Sequence, residues 1–192
     1  STSSSSNVLG TRTINAPSRL ERMDEKERQQ YYSSSFPDMK KPSFKNISYT
    51  NDKEAVVFEE KLTIEAEAYA RMINDKLIIQ PNAYRAYSYV PKKYKRRKLD
   101  FQVQRDFSEK DEYTLSVPEG FEVDFVPEDV TLTSPFGSYA SSVKKNEDGT
   151  FTFLRELTLR KGAYTQSQYT AYRDFRKDIK KYDHQKLVLK KK

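Results

Sequence analysis

The stretch VVFEEKLTIEAEA, residues 56–68, decides the fold class. Apolar side chains occupy the even positions of this stretch, and only Glu60 interrupts them. The odd positions from Glu59 onward hold charged residues or threonine. Because successive side chains of a strand point to opposite faces, this period of two predicts a β-strand with one buried face.

Further short alternating segments follow, and turns separate them closely. FQVQR, YTLSV, FEVDFV and FTFLRELTL each place apolar residues at alternate positions, and KLVLKKK supplies a last strand. Pro118-Glu119-Gly120 and the loop from Asn146 to Gly149 are typical turn sequences. Short strands joined in this way predict a mainly β protein, an antiparallel β-sandwich.

Two helices are expected beside the strands. Asp24 and Glu27 form a capping-box pattern before a polar segment, which predicts a short surface helix that ends at Pro37. Thr165 and Gln168 form a second capping box, which predicts a C-terminal helix over residues 165–182. The stripe that would pack this helix on a sheet consists of Tyr169, Tyr172, Phe175 (or Arg176), Ile179 and Tyr182.

The chain is expected to divide near residue 40. Residues 1–40 would hold an N-terminal edge strand and the short surface helix, and residues 41–192 would form the β-sandwich with its C-terminal helix. An alternative is a pair of β subdomains that split near residues 82–98, where the sequence has no consistent period. At 192 residues either arrangement can bury a core.

The composition excludes several chemistries. The chain has no Cys, so thiol nucleophiles, disulfides and Cys-ligated metals are impossible within it. Nine of its 35 basic residues lie in two runs, 92–98 and 190–192. The remaining 26 basic residues are nearly balanced by the 28 acidic residues of the chain. A near-neutral remainder argues against a dedicated nucleic-acid binder. No apolar run is long enough to span a membrane, and the polar start is unlike a signal peptide.

The run PKKYKRRK, residues 91–98, is the strongest candidate for a binding segment. Aromatic faces stack on sugars and bases, and Arg and Lys contact anions, so residues 84–98 have the chemistry of a sugar or anionic-polymer site. A loop that is solvated or docked on a neighbouring domain explains the same composition. The binding candidates are Tyr84, Tyr87, Tyr89, Lys92, Lys93, Tyr94 and Arg96.

No other segment predicts a catalytic, cofactor or metal site. His184, the single histidine, lies between the last helix and strand and has no partners at metal-ligand spacing. The acidic group Glu109, Asp111 and Glu112 resembles a carboxylate constellation, but most acidic positions fall beside turns or on the outer face of strands. We therefore expect no catalytic residue, no cofactor and no metal.

Motifs in the second half carry a family resemblance. PEGFEVDFVPEDVTLTSPFGSYASSV, FLRELTLRKGAYTQSQYTAYRDFRKDI and KLVLKK resemble the C-terminal β-domain, of unknown function, of large bacterial transglutaminase-like or cysteine-protease-like proteins common in Bacteroidota. The match is good over about residues 97–192 and loose over residues 17–90. Arg97 falls where that family places an Arg before a strand, and Arg155 and Phe175 also match. We expect four residues to act as structural anchors: Arg97, Arg155, Tyr172 and Phe175.

The resemblance implies a noncatalytic structural or interaction domain, extracytoplasmic (periplasmic or cell surface), whose partner is the transglutaminase-like core of the same polypeptide. Such cores need a Cys activated by His, and this chain has no Cys to supply. The alternative is a stand-alone cell-envelope module that binds sugar or anionic polymers through loop 84–98. Neither reading involves nucleic acid or a membrane span.

Overall fold

The computed structural model describes residues 5–14, 20–36, 39–67, 69–83 and 86–192. These residues form a mainly β fold, and every strand pairing is antiparallel. The strands are β1 (Ser5–Ile14), β2 (Lys40–Asp52), β3 (Val57–Glu67), β4 (Arg71–Ile73), β5 (Lys76–Ile79), β6 (Phe101–Val103), β7 (Phe107–Leu115), β8 (Phe121–Phe125), β9 (Val130–Ser134), β10 (Gly137–Lys145), β11 (Phe151–Leu159), β12 (Gly162–Tyr164) and β13 (Leu187–Lys191). The helices are α1 (Glu25–Ser35) and α2 (Tyr169–Asp183).

The largest sheet has seven strands in the order β2-β3-β1-β7-β11-β10-β9. A four-stranded sheet, β4-β5-β13-β8, and the short pair β12-β6 accompany it. Buried side chains from the two larger sheets form one apolar cluster, which confirms the predicted β-sandwich. From the large sheet this cluster takes Phe58, Leu62, Ile64, Tyr113, Leu115, Val143, Phe151 and Phe153, and from the small sheet Leu77, Ile79, Leu187 and Leu189.

The period of two predicted for residues 56–68 is confirmed by burial from Phe58 to Ile64 in β3, but not at Val56, which is 51% exposed in the turn before the strand. The side chains of residues 66–68 lie outside the described part of the structure. Phe58, Glu60, Leu62 and Ile64 are all buried, whereas Glu59 and Lys61 on the other face are not. Glu60 does not interrupt the buried face, because its carboxylate accepts a hydrogen bond from the hydroxyl of Tyr32.

The predicted C-terminal helix is also confirmed, and it covers a second apolar cluster. A 3-10 turn at Gln166–Gln168 leads into α2, and the Thr165 N–H donates to Gln168 Oε1 at 3.0 Å. Phe175 and Ile179 pack with buried side chains of the large sheet and the β9–β10 turn. In β11 the residues Phe151 and Phe153 join the sandwich cluster, and Leu157 and Leu159 join the helix cluster. The helix and the small sheet therefore cover the same face of the large sheet side by side.

The predicted N-terminal edge strand is wrong. The strand β1 lies between β3 and β7, and Val8 is opposite both Ile64 and Leu115. Its polar sequence suggested an edge, but position in a sheet depends on which strands pair with it and not on its own polarity. Residues 1–4 of this prediction lie outside the described residues.

The helix predicted at the surface is only partly exposed. Asp24 and Glu27 cap α1 as expected, with the Glu27 N–H donating to Asp24 Oδ1 at 2.8 Å. However, Tyr32 and Ser35 are fully buried, and so is Phe36 just beyond the helix. A few aromatic side chains fix a polar helix on a core, because each buries a large apolar area.

Strands on the two sides of residues 82–98 pair directly with each other. The pairs are β1 with β7 and β5 with β13. The segment therefore does not separate two sheets, and Tyr32 and Phe36, from before residue 40, belong to the same cluster as the sandwich strands. None of the helices in the described ranges is long and apolar enough to cross a membrane.

Candidate functional site

Arg155 is the centre of a buried charged cluster between the two apolar clusters. It is 2% exposed, and its Nη1 donates to Glu109 at 2.7 Å and to Asp111 at 2.8 Å. Its Nε and Nη2 bind Asp183 at the end of α2, at 2.8 Å and 3.0 Å. The guanidinium therefore joins the central strands β7 and β11 to the C-terminal helix.

The cluster shifts the pKa of its basic and phenolic members. Burial alone lowers the pKa of Arg155, but the carboxylates of Asp183 and Asp111 outweigh it and hold that pKa above its ordinary value. Burial raises the pKa of Tyr139, whose hydroxyl donates to Asp183 at 2.8 Å. Arg155 is therefore a permanent cation, and Tyr139 stays neutral near physiological pH.

Residues 86–100, here called the strap, contain no helix or strand and run along α2. The helix fastens the strap through its backbone. Arg173 Nε donates to the carbonyl of Pro91 at 3.0 Å, and the Tyr169 hydroxyl donates to that of Lys92 at 2.8 Å. The backbone N–H of Tyr87 donates to Asp183 at 2.7 Å. Hydrogen bonds at several points fix the path of the strap, although it has no regular secondary structure.

Arg97 closes the far end of the strap. Its Nε donates to the carbonyl of Leu99 at 2.8 Å, and its Nη2 donates to that of Asp100 at 3.3 Å. Its Cζ lies 4.2 Å from the centre of the Tyr169 ring, and the rings of Tyr94 and Phe101 lie further out, at 5.6 Å and 5.7 Å. These contacts are those of a side chain that stabilises the loop through carbonyl bonds and cation–π stacking.

Arg176 lies at the other end of the strap, in a cage of tyrosine rings. It is only 8% exposed, and its Cζ lies 4.5 Å from the ring centre of Tyr87, 5.4 Å from that of Tyr172 and 5.6 Å from that of Tyr89. Its Nη1 donates to the Tyr172 hydroxyl. No ion pair joins Arg176 to a carboxylate in the described part of the chain.

Burial without a carboxylate changes the pKa of this arginine in the opposite direction from that of Arg155. Loss of solvation lowers the pKa of Arg176 to about 10. Its Nε is buried and makes no hydrogen bond with any described residue, and the same is true of the Tyr87 hydroxyl. Two polar groups of one cage therefore lack a partner, which is rare in protein interiors.

The binding candidates are distributed along the strap in two groups. Lys92, Lys93 and Arg96 are exposed. Tyr89 and Tyr94 are 62% and 50% exposed. Tyr87 is half-buried against Arg176, and Tyr84 lies outside the described residues. Whether these side chains bind a ligand stays a prediction.

The expected anchors occupy different environments. Phe175 is buried, and Tyr172 is half-buried beside Phe101 and Phe136, with ring centres 5.0 Å and 5.2 Å away. Arg97 is half-buried on the strap, whereas Arg155 is inside the domain. All four contact α2 or belong to it.

Sequence reasoning missed the acidic members of the buried cluster. Glu109 and Asp111 were assigned to outer faces or turns, but both are buried in β7. The available signal was their spacing of two from Tyr113 and Leu115, which places all four on one face of the strand. Nothing in the local sequence marked Asp183.

A protein-family model described as a domain of unknown function with a solved structure, DUF3858, matches residues 75–189. The chain belongs to this family. The DUF3858 region contains the strap, α2, β7, β11 and the first three residues of β13, whereas β1 to β4 and α1 precede it. No curated protein and no solved structure matches the chain.

Proposed function

We propose that this chain is a noncatalytic structural and interaction domain of a larger extracytoplasmic protein with a transglutaminase-like core. The strap carries the proposal. The helix α2 fixes its backbone, and its side chains present a surface in which Tyr89, Tyr94 and the 75% exposed Leu99 alternate with basic residues. Exposed aromatic and arginine side chains on a fixed backbone are typical of protein-binding surfaces.

Two sequence features support a noncatalytic role. The chain has no Cys, so it cannot supply the nucleophile of a transglutaminase-like core. Its single histidine, His184, caps α2 and places Nδ1 2.7 Å from the carbonyl of Lys180. The resemblance of its second half to the C-terminal β-domains of bacterial transglutaminase-like proteins supports the extracytoplasmic location and the identity of the core.

The test uses the segment encoded upstream of Ser1, expressed separately and titrated against this chain. We expect binding that weakens when four exposed basic residues of the strap are replaced together by Ser. These residues are Lys92, Lys93, Lys95 and Arg96. A matched variant replaces four exposed lysines outside the strap, Lys26, Lys53, Lys144 and Lys145, and should bind like the wild type. An upstream segment without a Cys–His core, or equal binding by both variants, would contradict the proposal.

The noncatalytic part has its own test. We expect no turnover of glutamine or peptide substrates by the isolated chain. Activity that survives repurification and disappears in His184→Ala would overturn it.

The second candidate function is a stand-alone envelope module for sugar or anionic polymers. It is favoured by the exposed rings of Tyr89 and Tyr94 among lysines, a combination that suits stacking and charge attraction. Its distinguishing result is saturable binding of a defined oligosaccharide that is lost in Tyr89→Ala and Tyr94→Ala and resists moderate salt.

A further inference from the structure

We propose that the Nε–Nη2 edge of Arg176 is a binding site for a carboxylate, supplied by an acidic side chain of a protein segment that docks on the strap. This inference rests on the proposed interaction function and names its chemistry. Its starting point is the uncompensated cation: Arg176 is buried, its Nε has no partner, and no described carboxylate pairs with it.

The other buried arginine shows what such a site looks like when filled. In Arg155 the same edge, Nε with Nη2, holds Asp183 in a bidentate pair at 2.8 Å and 3.0 Å. In Arg176 the Nη1 group is bound by Tyr172, so the corresponding edge is the one that remains. Two parallel N–H donors match the two oxygens of a carboxylate, and such pairs are among the strongest hydrogen bonds in proteins.

The cage would add a further donor and a removable cover. The buried Tyr87 hydroxyl makes no hydrogen bond with any described residue, so it is available to an acceptor that enters the cage. Tyr89 is the most exposed of the three rings around Arg176, and rotation of its side chain would open the cage without changing the core. Lys92 and Lys93, exposed further along the strap, would attract an acidic segment.

A protein segment suits this surface better than a sugar polymer. Sugars stack on open ring faces, but Tyr87 and Tyr172 direct their faces to the guanidinium and are half-buried. Leu99 and Tyr94 extend the surface with exposed apolar area, which an adjacent apolar side chain of a peptide would cover.

The experiment follows the arginine Nε–Hε signals of the ¹⁵N-labelled chain by NMR. The probes are the peptide acetyl-GEFEGG-amide and its neutral counterpart acetyl-GQFQGG-amide. The spectrum of Arg176→Lys assigns the Arg176 signal. We expect a saturable shift of that signal with the acidic peptide and none with the neutral one, because only the carboxylate accepts both hydrogen bonds as an anion.

Affinities measured with the variants complete the test. Arg176→Lys, which keeps the charge but loses the bidentate edge, should bind the acidic peptide about tenfold more weakly. Arg105→Lys, at an exposed position outside the strap, should bind it like the wild type. If Arg176→Lys does not fold, the wild-type titration decides by itself, with the signal assigned by Arg-specific labelling and triple-resonance spectra.

Three results would overturn the inference. They are equal shifts with both peptides, acidic-peptide binding that leaves the Arg176 signal unmoved, and a uronate oligosaccharide that moves the signal where the peptide does not. The proposed function is tested separately by the upstream segment. If the upstream segment binds through the strap but the Arg176 signal does not shift, only this inference is refuted. If the acidic peptide shifts the Arg176 signal but the upstream segment does not bind, only the proposed core partner is refuted.

Discussion

Replacing each buried arginine by methionine should have opposite consequences for stability. Arg155→Met removes the cation that binds Glu109, Asp111 and Asp183, and it leaves their negative charges buried together. Breaking a buried pair by removing one partner costs about 3–5 kcal/mol, and here one guanidinium serves three carboxylates, so we expect the upper part of that range. Met occupies a similar volume, so little of the loss should come from a cavity.

Arg176→Met removes a cation that has no carboxylate partner. The variant loses three cation–π contacts, worth up to about 2 kcal/mol each at a desolvated site, and one hydrogen bond worth about 1 kcal/mol. It regains the cost of burying a charge, which is several kcal/mol and which also lowers the pKa of Arg176. These contributions nearly cancel, so the free energy of unfolding should change by less than about 1 kcal/mol.

Urea unfolding at pH 7, followed by circular dichroism, measures both changes. With a urea slope near the upper end of the usual range, about 3 kcal/mol per molar, the midpoint of Arg155→Met should fall by more than about 1 M. The midpoint of Arg176→Met should move by less than a third of that. Equal losses in the two variants would refute the reasoning, because they would mean that the carboxylate partners do not determine the cost.

Four further outcomes are expected. Phe175→Ala should cost about 3–5 kcal/mol, and an unchanged midpoint would show that α2 is not docked as described. The four-residue Ser variant of the strap should change stability by less than about 0.5 kcal/mol. Arg97→Ala should lose about 1–2 kcal/mol, because it removes two hydrogen bonds to backbone carbonyls and the stacking on Tyr169. A larger loss in the Ser variant than in Arg97→Ala would contradict the anchor role of Arg97. Gly137→Ala should lose more than about 2 kcal/mol, because residue 137 has a φ of +147° and its new Cβ would lie 1.9 Å from the backbone oxygen of Thr158. Gly149→Ala, with open space around the new Cβ, should lose only about 1 kcal/mol. Burial raises the pKa of Tyr172 to about 12, so the contribution of this residue to stability should be complete below about pH 10 and be lost as the pH rises towards 12. In Tyr172→Phe the free energy of unfolding should therefore fall less steeply above pH 10. Ultraviolet absorbance should show one tyrosinate fewer in this variant near pH 12.

The strand pattern was predictable from sequence because side chains of a strand alternate and one face of each strand is buried. The stretch around Phe58 and Ile64 shows this, and so does β11, whose odd positions are all buried. The position of β1 was not predictable in the same way. Its central place depends on pairing with β3 and β7, which are distant in sequence, and no local pattern records that choice.

The candidate site was predictable only as a segment. The composition of residues 84–98 pointed to the strap, but the residues that give it a definite shape, Arg173, Arg176 and Asp183, lie on α2. Arg176 is adjacent to Phe175 in sequence, and a helical stripe alone does not decide which of the two is buried; both are. Whether a buried arginine has an acidic partner depends on three-dimensional contacts alone.

Asp183 connects the interior of the domain to the proposed binding surface. Its carboxylate accepts hydrogen bonds from Arg155 and Tyr139 inside the domain, and from the backbone N–H of Tyr87 at the start of the strap. Because Arg155 holds the Asp183 carboxylate in place through two hydrogen bonds, the position of Tyr87, and with it one wall of the Arg176 cage, is set when the core folds. A surface fixed in this way loses little conformational entropy on binding, which favours affinity for a partner. Asp183→Asn should therefore weaken binding of the acidic peptide as well as the fold, although residue 183 would not itself touch the peptide.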